Sequence, residues 1–543
     1  MYRKLFSLAA ASTLLSMCLV LLTACGQSIP TSRSSADLLI KGARIIDGAG
    51  NPWYLGEVAV ADGRILDVGP QLNIPAADTI DASGLVLSPG FIDIHNHCNS
   101  GISHNPDAAN FVRQGVTTLV GGPDGGSAVD MGEYLAGLDT LPLALNVCYT
   151  IGQGSIRREV MGMDDRAPTD GELQRMKELV DKAMRDGAIG ISTGLKYVPG
   201  AYSSTEEVIE LSKVAAAYGG YYTSHVREEG PGLIEACAEA VRIAEEANIP
   251  VNFTHHKAIG KVMWGSSITT LAMLDSARAR GLDITADQYP YPATSTGLHV
   301  VLPAWSMAGG TDSLTARLQD PQRKAKIAER IIFALTHDRG GDDPLNVTIA
   351  SCDHDHSMEG KSLRQILEER KVKPSLENAA ELVISIVLQG GASCVYHCLN
   401  EDDVARIMRH PAVMHASDGT VMEFGDGVPH PRSYGTFPRV LGHYVRELGV
   451  IGLEDAIRKM TSLPAQRAGL FDRGTIRPGA VADLTLFDPE RVIDKATFTE
   501  PHQYPVGIER VIVGGHTVFD GREMTGERPG KVIRRTDRPD GLL

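Results

Sequence analysis

Between Phe91 and about Leu470, short apolar runs alternate with longer amphipathic stretches, and this alternation constrains the fold more than any other feature of the chain. Eight runs read as strands: Phe91 to Ile94, Thr117 to Gly121, Ala144 to Tyr149, Ile189 to Ile191, Tyr221 to Thr223, Pro250 to Thr254, Asp283 to Ala286 and Val413 to His415. Asp170 to Arg185, Ser204 to Tyr218 and Gly232 to Asn248 read as helices between them. Eight strand–helix units in series predict an α/β fold, a (β/α)8 TIM barrel with a parallel sheet. An open, doubly wound sheet is the alternative. It gives no reason for polar residues to stand at the end of almost every run.

Both ends of the chain have a different texture. Residues 37–88 carry short alternating runs broken by Asp47-Gly48, Asp62-Gly63 and Gly69-Pro70, and residues 473–543 repeat that pattern around Gly514-Gly515. The two segments predict a small β-sandwich built from both termini. The barrel unit then spans 89–472, with an inserted subdomain at about 302–400 between the seventh and eighth strands.

Residues 1–24 are set aside from the folded part. Arg3 and Lys4 precede an uncharged apolar run from Leu5, which ends in Leu22-Thr23-Ala24-Cys25. A Gly/Ser/Pro/Thr-rich linker, 25–36, follows. This layout is that of an export signal, and it resembles a bacterial lipoprotein signal, in which the cysteine becomes lipidated. The expectation is an exported protein of the cell envelope (periplasm or outer membrane) that meets a membrane only through a lipid anchor at Cys25. An uncleaved membrane helix is the alternative. The six cysteines of the folded part lack tight spacing, so no disulfide framework is indicated; Cys394 and Cys398 could pair on helical spacing.

In a TIM barrel, catalytic groups gather at the C-terminal strand ends. Reading only those ends gives His95-Asn96-His97, Asp124, Lys196, His225, His255-His256-Lys257, Asp287 with Tyr289, and Asp418. Side chains two apart on a strand point the same way, so His95 and His97 can reach one metal. Imidazole and carboxylate donors suit zinc with an open position for water. His354-x-His356 in the insert has the same spacing but no such company. The formal charge of −15 and pI of about 5.6 exclude a nucleic-acid phosphate backbone as partner.

Ser88-Pro89-Gly90-Phe91-Ile92-Asp93-Ile94-His95-Asn96-His97 resembles the opening of the amidohydrolase superfamily. Gly115-Val116-Thr117-Thr118, Ser192-Thr193-Gly194-Leu195, Ser224-His225-Val226-Arg227-Glu228, His255-His256-Lys257, Asp287-Gln288-Tyr289-Pro290-Tyr291, His430-Pro431-Arg432-Ser433-Tyr434-Gly435 and Thr461-Ser462-Leu463-Pro464-Ala465 resemble the N-acyl-D-amino-acid deacylases, or D-aminoacylases. The resemblance implies a centre of one or two Zn2+ ions. His225 and His255 would hold one ion, His95 and His97 would define a second site, and Asp418 would be the general base. Lys257, Tyr289, Ser295 and Arg432 would grip the substrate, and Asp287 would be structural.

One departure stands out. Better-known members of the family end the second strand in Asn-Cys-Gly and use that cysteine on zinc, whereas this chain places Asp124 there. A hard oxygen replaces a thiolate. Lys196 stands where other amidohydrolases carry a carboxylated lysine, so a carboxylated Lys196 bridging two ions is one expectation, with Asp124 as the alternative bridge.

The implied substrate is a small N-acyl-D-amino acid, cleaved to a carboxylate and a free D-amino acid. Rival readings are a dipeptidase releasing a C-terminal D-residue, a cyclic amidase of the hydantoinase or dihydroorotase kind, and a lipid-anchored binding protein with an inactive metal site.

Overall fold

The computed structural model describes residues 35–537. The leader, Cys25 and most of the linker lie outside the described residues. Among the described residues no helix is long and apolar enough to cross a membrane.

All eight runs form strands: β1 (Phe91–Asp93), β2 (Val116–Gly121), β3 (Asn146–Tyr149), β4 (Gly190–Gly194), β5 (Tyr221–His225), β6 (Val251–Phe253), β7 (Ile284–Gln288) and β8 (Val413–His415). β1, β2 and β3 pair in parallel. Ile151–Gly152, β4, β5, β6, β7 and β8 form a six-stranded parallel sheet in that order. The two sheets meet where β3 runs on into Ile151. At the opposite edges no strand ladder joins β8 to β1 among the described residues. Two backbone hydrogen bonds bridge them just beyond the strand ends: Asp418 N donates to His95 O at 2.8 Å, and His97 N to Gly419 O at 2.7 Å. Ile92, Val120, Cys148, Tyr221 and Met414, from five different strands of the two sheets, share one buried cluster.

The helices follow from local signals. Thr169 caps Asp170–Asp186 in a reciprocal box with Glu172, and Gly187 ends the helix in the left-handed region at φ 119°. Met176, Leu179, Val180, Ala183 and Met184 recur at helical spacing and are buried.

The chain termini meet in one eight-stranded, mostly antiparallel sheet. Its order runs His516–Phe519, Ile508–Val513, Leu484–Phe487, Val86–Pro89, Ala36–Ile45, Tyr54–Ala61 and Arg64–Gly69, with Ala76–Asp81 pairing the long first strand in parallel. That strand carries a register shift between Ile40 and Ala43, so it can pair with different neighbours along its two halves.

The excursion between β7 and β8 has a sheet and a core of its own. Thr294–Gly297 and Val347–Ser351 each pair antiparallel with Ser393–Tyr396. Helices including Pro321–Phe333 and Leu376–Leu388 pack Ile327, Ile331, Val383 and Ile386 into a separate apolar cluster. Cys394 lies on a strand of this sheet and Cys398 just past its end, not one turn apart on a helix. Both are free, as are the other four cysteines among the described residues.

Candidate metal centre

Most of the predicted site residues converge at the C-terminal ends of the strands, but few lie on a strand. β1 stops at Asp93, so His95 and His97 stand in the bend that follows. That bend is pinned by side chains. Asn96 Nδ2 donates to Asp93 O at 3.0 Å and to Val120 O at 3.3 Å. Asp93 accepts from Ser417 N at 3.0 Å and from His95 N at 3.4 Å, tying the turn after β1 to the turn after β8.

Three of the converging residues adopt left-handed backbone: Asp124 (φ 54°), His255 (φ 37°) and Asp418 (φ 51°). Side-chain-bearing residues rarely sit there, and such strain concentrates at functional sites. Each is held. Ser192 Oγ accepts from Gly125 N at 3.1 Å and donates to Gly122 O at 2.6 Å, fixing the turn of Asp124. A side chain at Gly194 would place its Cβ 2.2 Å from Asp124 O, so only glycine admits this approach. Asp287 Oδ1 accepts from His255 N at 2.7 Å and its Oδ2 from Asn252 at 2.5 Å. Asp287 is therefore structural, and what it fixes is the turn of His255.

Two groups of donor atoms result. His95, His97, Asp124 and Asp418 converge within 4.8 Å of one another, and so do Asp124, His225 and His255. Asp124 belongs to both. Its Oδ2 lies 3.6 Å from His95 Nε2 and from His97 Nε2, and its Oδ1 lies 3.5 Å from His255 Nε2. His97 Nε2 is 3.0 Å from Asp418 Oδ1. Both ring nitrogens of His95 and of His225, with Asp124 Oδ1, are buried without a hydrogen-bond partner. Buried polar atoms are normally satisfied. Unsatisfied imidazoles aimed at shared carboxylates fit divalent zinc in donor type and number.

The charges agree with this reading. Burial would lower the His95 pKa, but Asp124 and Asp418 outweigh it and raise it well above the ordinary value. Burial would raise Asp124, yet His95 and His255 hold it well below the carboxylate range. Asp418 is likewise opposed by burial and held well below that range by Arg432 and His95. The carboxylates stay ionised in a nearly dry site.

The donors open into a cavity of about 470 Å³ that Lys257, Ser295 and Arg432 also line. Arg432 lies 2.7 Å from Asp418 Oδ2, and its Nη2 donates to Ser295 O at 3.3 Å. The buried Tyr289 ring lies between two cations, with the Arg432 guanidinium 4.9 Å and the Lys257 ammonium 5.4 Å from its centre. Lys257 donates to Glu229 and lies 2.7 Å from His255 Nδ1.

Lys196 is the exception. Its ammonium is held by Glu228 at 2.7 Å and Asp338 at 3.1 Å, and it lines a different cavity from the one the donors open into. Two carboxylates engage the Lys196 amine as a cation, where a carbamate would add a third negative charge. Asp124 is the donor that the two groups share among the described residues. His354 and His356 are also apart, the first beside Cys352 and the second beside Glu359.

Sequence reasoning missed Glu229 and Arg339. Glu229 is buried against His225, His255 and Lys257, and Arg339 from the insert lies 3.7 Å from it in the cavity wall. For Glu229 the available signal is position, four residues after His225. Arg339 sits in an unremarkable charged stretch of the insert and carries no signal.

Comparisons with known proteins point one way. The amidohydrolase family model matches residues 78–519. A D-aminoacylase from Alcaligenes xylosoxydans xylosoxydans is 35% identical over 523 residues, 92% of this chain and 98% of the relative. The crystal structure of N-acyl-D-glutamate deacylase from Bordetella bronchiseptica, complexed with zinc and a phosphonate mimic of the tetrahedral intermediate, matches with a TM-score of 0.78 at 34% identity. That match covers 92% of this chain and 100% of the other. A D-aminoacylase structure studied for the role of its binuclear metal centre matches with a TM-score of 0.79 at 34% identity, over the same shares.

Proposed function

The chain belongs to the amidohydrolase family, among the D-aminoacylases, and on that footing we propose that it hydrolyses N-acyl-D-amino acids to a carboxylate and a free D-amino acid. The observation that carries the proposal is the sharing of Asp124 between two histidine groups, with Asp418 and Arg432 paired beside them at the cavity wall.

His225 and His255 would hold one zinc ion with Asp124, and His95 and His97 would hold a second with Asp124 and Asp418. Zinc, when bound, supplies Lewis acidity that lets water lose a proton near neutral pH. Asp418 is ionised and faces the cavity, so it accepts the proton of the attacking water. It then returns that proton to the amide nitrogen as the C–N bond breaks, leaving a carboxylate and an amine. Arg432 presents a planar fork to the substrate α-carboxylate, Lys257 adds a second cation, and Tyr289 and Ser295 complete the grip. The eight parallel strands, bridged between the ends of β8 and β1, support a closed (β/α)8 barrel spanning 89–472, flanked by the eight-stranded sheet that the two terminal segments share. Export with a lipid anchor at Cys25 is proposed on the sequence of the leader, and a Cys25→Ala variant tests it by loss of lipid labelling.

The decisive experiment is hydrolysis by the zinc-loaded protein of N-acetyl-D-amino acids, their L-enantiomers and their α-amides. The proposal expects turnover of the first set alone. Equal turnover of L-substrates or of substrates without a carboxylate would overturn it.

A further inference from the structure

The two histidines of the second donor group turn opposite nitrogens toward Asp124. His225 presents Nδ1, 3.9 Å from Asp124 Oδ2, and His255 presents Nε2, 3.5 Å from Asp124 Oδ1. The remaining nitrogens point away from Asp124 and both meet Glu229, with the Lys257 ammonium also 2.7 Å from His255 Nδ1. His225 Nε2 lies 3.3 Å from Glu229 Oε2, and His255 Nδ1 lies 3.2 Å from Glu229 Oε1. The rings stand edge to face at 83°, their centres 4.5 Å apart, so a single carboxylate spans both.

Resting on the zinc reading above, we infer that Glu229 is a positioning residue that clamps His225 and His255 together, one carboxylate oxygen set against the outer nitrogen of each ring. A histidine that donates from one nitrogen must offer its lone pair from the other. The clamp favours the ring forms whose lone pairs, on His225 Nδ1 and His255 Nε2, face Asp124, with the Lys257 ammonium giving its protons to Glu229 and to His255 O rather than to His255 Nδ1. Outer carboxylates of this kind orient metal-binding imidazoles and raise their basicity. Here one carboxylate serves two ligands, which couples their orientation.

The placement of Glu229 is built for this task. Its side chain is 3% exposed. Its backbone carbonyl accepts from Ile259 N at 2.8 Å, joining the loop after β5 to the loop after β6 that carries His255. Lys257 and, at 3.7 Å, Arg339 neutralise the buried charge. Glu228, its neighbour, is 35% exposed and pairs with Lys196 instead.

The test uses the full-length protein and the variants Glu229→Gln and Glu229→Asp, read by zinc competition against a chromophoric chelator and by the absorption bands of the cobalt-substituted protein. A glutamine amide can accept from only one ring, and the shorter aspartate cannot reach both. Each variant is expected to weaken one zinc site by about 10–100-fold and to shift the cobalt bands. Wild-type zinc affinity with unchanged cobalt bands in both variants would overturn the clamp, whatever happens to turnover. Should Glu229→Gln fail to fold, Glu229→Asp alone decides, since it keeps the charge that balances Lys257. A wild-type protein that binds zinc but hydrolyses no N-acyl-D-amino acid would defeat the proposed function and leave the clamp to be judged on zinc binding; a wild-type protein that binds no zinc would defeat both.

Discussion

Arg432 holds the Asp418 carboxylate at 2.7 Å, so the residue proposed to grip substrate also restrains the residue proposed to accept the proton. A substrate carboxylate drawn to Arg432 competes for the guanidinium and leaves Asp418 a stronger base. This ties proton transfer to the presence of the carboxylate. Replacing Arg432 with alanine is expected to cost about 1.5–3 kcal/mol of transition-state binding, the value of a charged hydrogen bond, or roughly 10–100-fold in kcat/KM. Steady-state kinetics on N-acetyl-D-amino acids check the loss, and zinc content, expected to stay near wild type, checks that the centre survives.

Asp418 itself has two roles to separate. It approaches His97 within 3.0 Å and shares the first donor group with His95, His97 and Asp124. Asp418→Asn removes the proton acceptor and leaves His225, His255 and Asp124 intact. The expected outcome is a kcat lower by about 10²–10⁴-fold with at least one zinc retained. Loss of all zinc in this variant would assign Asp418 to metal binding rather than proton transfer.

Removal of metal should be felt in stability as well as in activity. The buried nitrogens of His95 and His225 have no hydrogen-bond partner, and an ion that satisfies them binds the folded chain alone. At free zinc a thousandfold above its Kd, binding adds about 4.1 kcal/mol to stability. Scanning calorimetry with and without a strong chelator should show a lower melting temperature for the stripped protein, restored by adding zinc. Identical melting curves would contradict the assignment.

Lys196 gives the contrasting case. Its side chain is 7% exposed and engages Asp338, which is 1% exposed. Truncating a buried ion pair on one side typically costs about 3–5 kcal/mol, but Arg330 also lies 3.6 Å from Asp338 and shares that charge, and Glu228 is partly solvated. Lys196→Ala is therefore expected at the lower end, about 3 kcal/mol by chemical denaturation. Zinc content should match wild type, and short carboxylic acids should restore nothing.

The repeating strand–helix pattern made the eight strands legible, because hydrophobic periodicity is a local property. The same logic misplaced the reason that His95 and His97 act together. Strand alternation was the expected cause, yet both lie past the end of β1, and Asp93 and Asn96 set their direction through contacts with Ser417 and Val120. The partners of Lys196 were out of view because Glu228 and Asp338 are 32 and 142 residues away in sequence. For Glu229 the sequence offers only its position four residues after His225, since nothing in the run Arg227-Glu228-Glu229 marks which carboxylate will be buried.

Asp124 decides how the two donor groups share an ion pair. Its Oδ1 faces His255, while its Oδ2 faces His95 and His97 at 3.6 Å and, farther off at 3.9 Å, His225. A carboxylate can therefore give one oxygen to each site, whereas a single sulfur must serve both from one point. Asp124→Cys installs the soft thiolate that zinc favours on a backbone at φ 54°, where aspartate is tolerated better than most side chains. The expected result is full zinc at His225 and His255 but weakened binding at His95 and His97, read as a drop from two ions toward one by metal analysis across a zinc titration. Asp124→Ala supplies neither donor and adds roughly 1–2 kcal/mol of backbone cost, so it should lose zinc from both groups. Two zinc ions retained by Asp124→Ala would show that Asp124 bridges nothing and that the histidine groups fill independently.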